Sequence, residues 1–73
     1  MSTVNLKATG ANIKRMMING GLSVNDLQKI LGFNTKNAIY KWRRGETMPS
    51  IDNLVILADV FNCKLDDIVI VDK

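Results

Sequence analysis

The sequence predicts an all-α fold, a compact bundle of five short helices on one small core. Three observations predict it. Apolar residues recur at three- and four-residue intervals through most of the chain, which is the period of one helix face. Gly20-Gly21, Gly32, Gly45 and Asn62 cut that pattern into short segments, several of which open on a serine or threonine. Outside the closing Ile68–Val71 run, no segment reads as a half-buried strand. The 73 residues suit a single domain. Residues 1–8 show no helical period and read as a flexible arm, leaving residues 9–73 as the folded unit.

The first helix is expected from Thr9, as N-cap, to Ile18. Ile13, Met16 and Met17 form its apolar stripe, and Gly20-Gly21 ends it. The second opens on Ser23-Val24-Asn25-Asp26, where serine and aspartate three apart can cap each other's N–H groups. Leu27, Ile30 and Leu31 continue its stripe, and Gly32 sits where a left-handed residue closes a helix. The third is expected over Lys36–Arg44, between a Thr35 cap and Gly45. Glu46-Thr47-Met48-Pro49 reads as a loop. Ser50 caps a fourth helix, Ile51–Phe61, with Ile51, Leu54, Leu57, Ala58 and Phe61 facing inward and Asn62 as terminator. A last helical turn covers Leu65–Ile68, where Asp67 compensates for Lys64 at the cap position, and Val69-Ile70-Val71 follows as extended chain.

Composition removes several function classes. With 47% hydrophobic and 23% charged residues, the chain belongs with globular domains and not with disordered ones. No apolar run approaches the about 20 residues that cross a membrane. Histidine is absent, so there is no Ser-His or Cys-His nucleophile pair. With one thiol and no imidazole a zinc site is not expected, and neither is any other metal or cofactor. Cys63 cannot form an internal disulfide and fits a reducing cytoplasm, the expected location. Asp66-Asp67 point apart on a helix and make neither an acid-base pair nor a metal site. No enzymatic activity is expected.

Charge is unevenly distributed. Through residue 45, Lys7, Lys14, Arg15, Lys29, Lys36, Lys41, Arg43 and Arg44 stand against Asp26 alone. After it, Lys64 and Lys73 stand against Glu46, Asp52, Asp59, Asp66, Asp67 and Asp72. Such segregation points to one face that meets a polyanion and one that does not.

The third helix concentrates this signal. At about 100° per residue, Ala38, Ile39 and Trp42 fall together as an apolar face. Lys36, Asn37, Tyr40, Lys41 and Arg44 fall on the opposite side, with no acid among them. Lysine and arginine reach phosphates or guanine, asparagine can pair bidentately with adenine, and tyrosine can donate to phosphate or lie against a thymine methyl. With the second helix and the tight turn at Gly32, this segment reads as a helix-turn-helix whose second helix enters the major groove.

The run Gly21-Leu22-Ser23-Val24-Asn25-Asp26-Leu27-Gln28, with Leu31-Gly32-Phe33, Ala38-Ile39-Tyr40-Lys41-Trp42-Arg43-Arg44-Gly45 and Pro49-Ser50-Ile51-Asp52-Asn53-Leu54, resembles the phage repressor and Cro-type (XRE) helix-turn-helix family. It is especially similar to a branch common in Gram-positive bacteria and their mobile elements. The match spans roughly Thr9 to Val71. The resemblance implies a five-helix domain that binds DNA through helices two and three, usually as a dimer, and represses transcription. It implies that Lys36, Asn37, Tyr40 and Lys41 meet base edges. It places Ser23, Val24, Thr35, Arg43 and Arg44 near phosphates, Val24 through its backbone N–H in place of the family's glutamine. Gln28 stands where many members have alanine at the helix crossing. Many members also pair an arginine in helix one with a glutamate near the end of helix three. Met17 and Arg43 replace both partners here, so no charge is stranded and Arg43 is released toward solvent or phosphate.

Val55, Ile56, Val60 and the Ile68–Val71 run exceed what the stripes need. They suggest a weak homodimer through the acidic C-terminal third, assembled on palindromic double-stranded DNA. A rival reading is an antitoxin-like or adaptor module that turns the same fold toward a protein. Salt separates the two, because DNA binding weakens steeply as salt rises.

Overall fold

In the computed structural model, which describes residues 2–73, five helices follow one another with a short ribbon joining the two ends of the chain. They are α1 (Leu6–Asn19), α2 (Val24–Leu31), α3 (Asn37–Arg44), α4 (Ile51–Phe61) and α5 (Leu65–Ile68). Strand β1 (Thr3–Val4) pairs antiparallel with β2 (Val71–Asp72), Thr3 opposite Asp72 and Val4 opposite Val71. The core consists of Ile13, Met17, Val24, Leu27, Ile39, Trp42, Leu54, Leu57 and Ile68. Every helix contributes to it, and each fully buried aliphatic side chain contributes about 1.5–3 kcal/mol.

The N-terminal segment departs from the expected arm. Thr3–Val4 is strand, and Leu6–Ala8 already belong to α1. The cap is Asn5, whose Oδ1 accepts from Ala8 N at 2.9 Å. Thr9 is not a cap but a buried residue within α1, 1% exposed. Its hydroxyl accepts from Ile70 N at 2.9 Å. Asn12, 7% exposed, donates through Nδ2 to the carbonyls of Asp67 at 2.8 Å and Ile68 at 3.0 Å. Asn5 adds a backbone bond to Ile70 O at 2.8 Å, and its side-chain amide donates to the Asp72 carboxylate. Asn5, Thr9 and Asn12 thus form a polar stripe at helical spacing that holds the C-terminal segment. A search for apolar periodicity alone passes over it.

The opposite side of α1 lies against α3 with almost no space between backbones. A Cβ on Gly10 would stand 2.1 Å from the carbonyl oxygen of Trp42, and one on Gly45 would stand 2.7 Å from Lys7 Cα. Gly45 also has φ +76°, closing α3 in the left-handed conformation. Met17 fills the core beside this crossing, 2% exposed, where the resemblance had a charge to dispose of.

The later elements follow the expected boundaries closely. Ser50 Oγ accepts from Asn53 N at 3.2 Å, and Asn62 ends α4 with φ 54°. The Asp67 carboxylate accepts from Lys64 N at 3.0 Å, supplying the cap that lysine cannot. Two expectations change. Ile51 faces outward, 68% exposed. At the start of α4 it precedes the stripe that Leu54 and Leu57 carry into the core. Ile68 is fully buried, and Ile70 is tied to α1 through its backbone, so that run is largely core and clasp and not spare surface.

Candidate nucleic-acid interface

The α2–turn–α3 unit is built from local signals. The Ser23 and Asp26 side chains cap one another's backbone: Asp26 N donates to Ser23 Oγ at 3.0 Å, and Ser23 N donates to the Asp26 carboxylate at 2.9 Å. Hydrogen bonding of the carboxylate to Ser23, to its backbone N–H first and its side chain second, holds the Asp26 carboxyl below the usual carboxylate range. The paired caps leave the Val24 and Asn25 N–H groups as the remaining donors at this end of α2. The Val24 side chain turns into the core, so its backbone is what it presents outward.

Gly32 reverses the chain with φ 71°, and Phe33 N returns to Gln28 O at 3.0 Å. The Gln28 side chain, expected at the helix crossing, donates instead to Phe33 O at 3.1 Å and fastens the turn. The Phe33 ring meets Trp42 edge-on, with centroids 5.7 Å apart. These contacts set the angle between α2 and α3.

On α3 the division expected from the sequence is present. Ile39 and Trp42 are buried, 0% and 4% exposed, while Asn37, Tyr40, Lys41 and Arg44 are exposed. Lys36 is half-buried and stands just before the helix as its N-cap residue, one position later than expected for the helix start. Thr35 is exposed, and its hydroxyl accepts from Asn37 N at 3.3 Å from two residues back, not as the N-cap. Lys36 is in αR conformation and makes no side-chain cap bond of its own. The Arg43 guanidinium lies 5.8 Å from the centre of the Tyr40 ring, so this half-buried residue braces a neighbour on the exposed face.

Glu46, expected only as a loop residue, lies beside this face. Gly45 turns the chain back over the end of α3, and Glu46 forms a side-chain ion pair with Arg44. The hydrogen bond from Arg44 holds the Glu46 carboxyl below its usual value and raises that of the guanidinium. Acid at the end of a helix is disfavoured by the helix dipole, and a neighbouring arginine is what makes it tolerable. The signal available in the sequence was the Arg-Gly-Glu spacing, with a left-handed glycine between opposite charges.

The resulting surface combines cations, an exposed asparagine and tyrosine, and a helix N-terminus with open donors. It suits phosphate and base-edge contacts. Among the described residues no group of histidine, cysteine, aspartate and glutamate is placed to hold a metal ion. No helix is long and apolar enough to cross a membrane among the described residues.

Comparison with known proteins agrees with this architecture. No curated protein sequence matches the chain. Its fold is similar to that of the restriction-modification controller protein C.AhdI from Aeromonas hydrophila, with a TM-score of 0.75 at 21% identity over 86% of this chain and 94% of that one. It is similar also to the DNA-binding domain of BldD, with a TM-score of 0.73 at 18% identity over 90% of this chain and 94% of that one. A helix-turn-helix family model matches residues 13–68, from the first core residue of α1 to the end of α5. On that match, and with α2 and α3 arranged as described, the chain belongs to the XRE-type helix-turn-helix family of DNA-binding transcription regulators.

Proposed function

We propose that this protein lays α3 in the major groove of double-stranded DNA and regulates transcription, as a repressor, from the site it occupies. The observation that carries the reading is the two-sided character of α3: Ile39 and Trp42 are locked in the core while Asn37, Tyr40, Lys41 and Arg44 face out together. Asn37 and Tyr40 read base edges with Lys36 and Lys41 beside them. Ser23, the Val24 backbone, Thr35 and Arg44 meet phosphates on either side, and Arg43 supports Tyr40 from behind. The work is binding, not catalysis, and belongs in the cytoplasm.

One such module buries roughly 600–1,000 Å² on DNA, which is modest for a genomic search. Two copies on a palindromic operator double the readout, with half-sites about 10 bp apart. Support for a C-terminal dimer contact comes from Ile51 and Val55, one turn apart on α4 and 68% and 48% exposed, and from Val71 on β2, 43% exposed. Ile68 is excluded from that contact by its burial.

The test is selection of bound sequences from random duplex DNA, followed by titration of the selected duplex against salt. An enriched palindromic motif and a steep loss of affinity with salt are expected. Failure to enrich any sequence would overturn the reading. Sedimentation on the palindrome checks assembly, and one chain per duplex at saturation would remove the dimer.

A further inference from the structure

Arg44 stands on the exposed face of α3 with a carboxylate already bound to it. Among the described residues, Arg44–Glu46 is the one ion pair, and both side chains remain about half exposed, at 57% and 50%. The pair is set by the backbone. Gly45 donates to Trp42 O and Glu46 N donates to Lys41 O at 2.9 Å, so the turn delivers Glu46 to the face that carries Lys41 and Arg44. Glu46 is therefore an anion on the one surface whose proposed partner is a polyanion.

We propose that Glu46 is an intramolecular stand-in for a DNA phosphate, which occupies Arg44 in the free protein and must release it when DNA binds. The inference rests on the DNA-binding reading above and deepens it. In the free protein the pair is neutral, so Arg44 adds nothing to long-range attraction toward DNA. On DNA the guanidinium passes from carboxylate to phosphate. The vacated Glu46 is left beside the duplex and must gather a cation of its own. Affinity and its salt dependence are thereby both held below what the cations of α3 alone would give. Pre-ordering is the compensating effect: the carboxylate holds the arginine extended on the outward face, so less side-chain freedom is lost on docking.

The experiment compares wild type, E46Q, R44Q and the R44Q/E46Q double variant on the selected duplex, each titrated from low to moderate salt. Circular dichroism confirms folding, which is expected to be unaffected because both side chains are exposed. E46Q is expected to tighten binding roughly three- to tenfold and to steepen the log-log salt slope by close to one ion. In the R44Q background the same change is expected to give a smaller gain, that of removing one negative charge with no ion pair to break. In the free protein the Arg44 Nε–H resonance should move on E46Q substitution, and in wild type it should move again on adding duplex. Equal gains from E46Q with and without Arg44 would overturn the proposal, since the carboxylate would then act only as general negative charge. So would an unchanged affinity and slope in E46Q. If wild type binds no duplex at all, the DNA-binding reading itself falls, an outcome distinct from wild-type binding that E46Q leaves untouched.

Discussion

Replacing Gly10 with alanine sets two effects of known size against each other. Alanine is the better helix former by about 1 kcal/mol, so local propensity alone makes Gly10→Ala stabilising. The packing opposes it. The added carbon would stand 2.1 Å from Trp42 O, 2.9 Å from Arg43 O and 3.0 Å from Gly45 N, all backbone atoms that cannot rotate away. Relieving the first contact to the 3.4 Å of ordinary approach moves α1 off α3 by about 1.3 Å, in an interior packed without slack. Overpacking of this kind costs about 1–3 kcal/mol, and here it also draws Ile13 and Met17 away from their partners, so about 3–4 kcal/mol is expected. The net loss is then about 2–3 kcal/mol. A domain of this size has roughly 4–11 kcal/mol in all. The midpoint should fall by roughly 10–20 °C, measured by thermal and urea unfolding with circular dichroism and Trp42 fluorescence. Gly32→Ala is the comparison. Its added carbon meets open space, leaving the left-handed backbone as its cost, about 1–2 kcal/mol. A Gly10→Ala midpoint equal to or above wild type would refute the close crossing.

Other expectations concern single side chains. Asn12→Ala removes the donor to Asp67 O and Ile68 O and should cost about 2–3 kcal/mol by chemical unfolding, loosening α5 ahead of the rest. Trp42→Ala should cost about 3–5 kcal/mol, and a near-native melting midpoint would contradict its place in the core. Asn37→Ala should cost roughly 1–3 kcal/mol on the selected duplex and relax preference at one or two base pairs, read by repeating the selection. Asp26 titrates below its usual value in the folded protein, so its capping contribution is present above the unfolded carboxylate value and fades as pH falls through the folded one. Asp26→Asn should therefore be less stable than wild type at neutral pH, with the gap narrowing in acid as the wild type loses its carboxylate.

How much of this was legible in the residues depended on the kind of signal. The α2 and α4 boundaries were legible because serine caps and left-handed terminators act within a few residues. The two faces of α3 were legible because the helical period alone separates Ile39 and Trp42 from Tyr40 and Arg44. The start of α1 was not: the Asn5 cap is local, on Ala8 N, but no apolar stripe accompanies it, because the buried Thr9 and Asn12 find their partners more than fifty residues away. Polar residues that are buried by pairing with distant backbone leave no apolar stripe. Ile68 and Ile51 were misjudged for the same reason: an apolar residue near an element's end is assigned to core or surface by the fold, not by its neighbours. The candidate site was legible in its cations and asparagine, while Glu46 was hidden in a loop whose geometry depends on Gly45.

The ribbon at the chain ends bears on the order in which the molecule folds. The main helix packing, α1 against α3, and the α2–α3 and α4–α5 contacts join segments separated by no more than one short helix, so their loops close quickly and at small entropic loss. Asn5 and Asp72 lie 67 positions apart, and Asn12 and Asp67 lie 55 apart. Bringing such distant segments together before the helices exist would close a loop of nearly the whole chain. Once α2, α3 and α4 have packed on Ile13 and Met17, the two ends already lie near one another and little freedom remains to be lost. The clasp is thus the last part to form and the first to open. Among hydrogen-bonded amides, native-state exchange should be fastest at Asn5 and Ile70 and slowest at the centre of α3, which divides the molecule into a late-closing rim and an early-forming reading head.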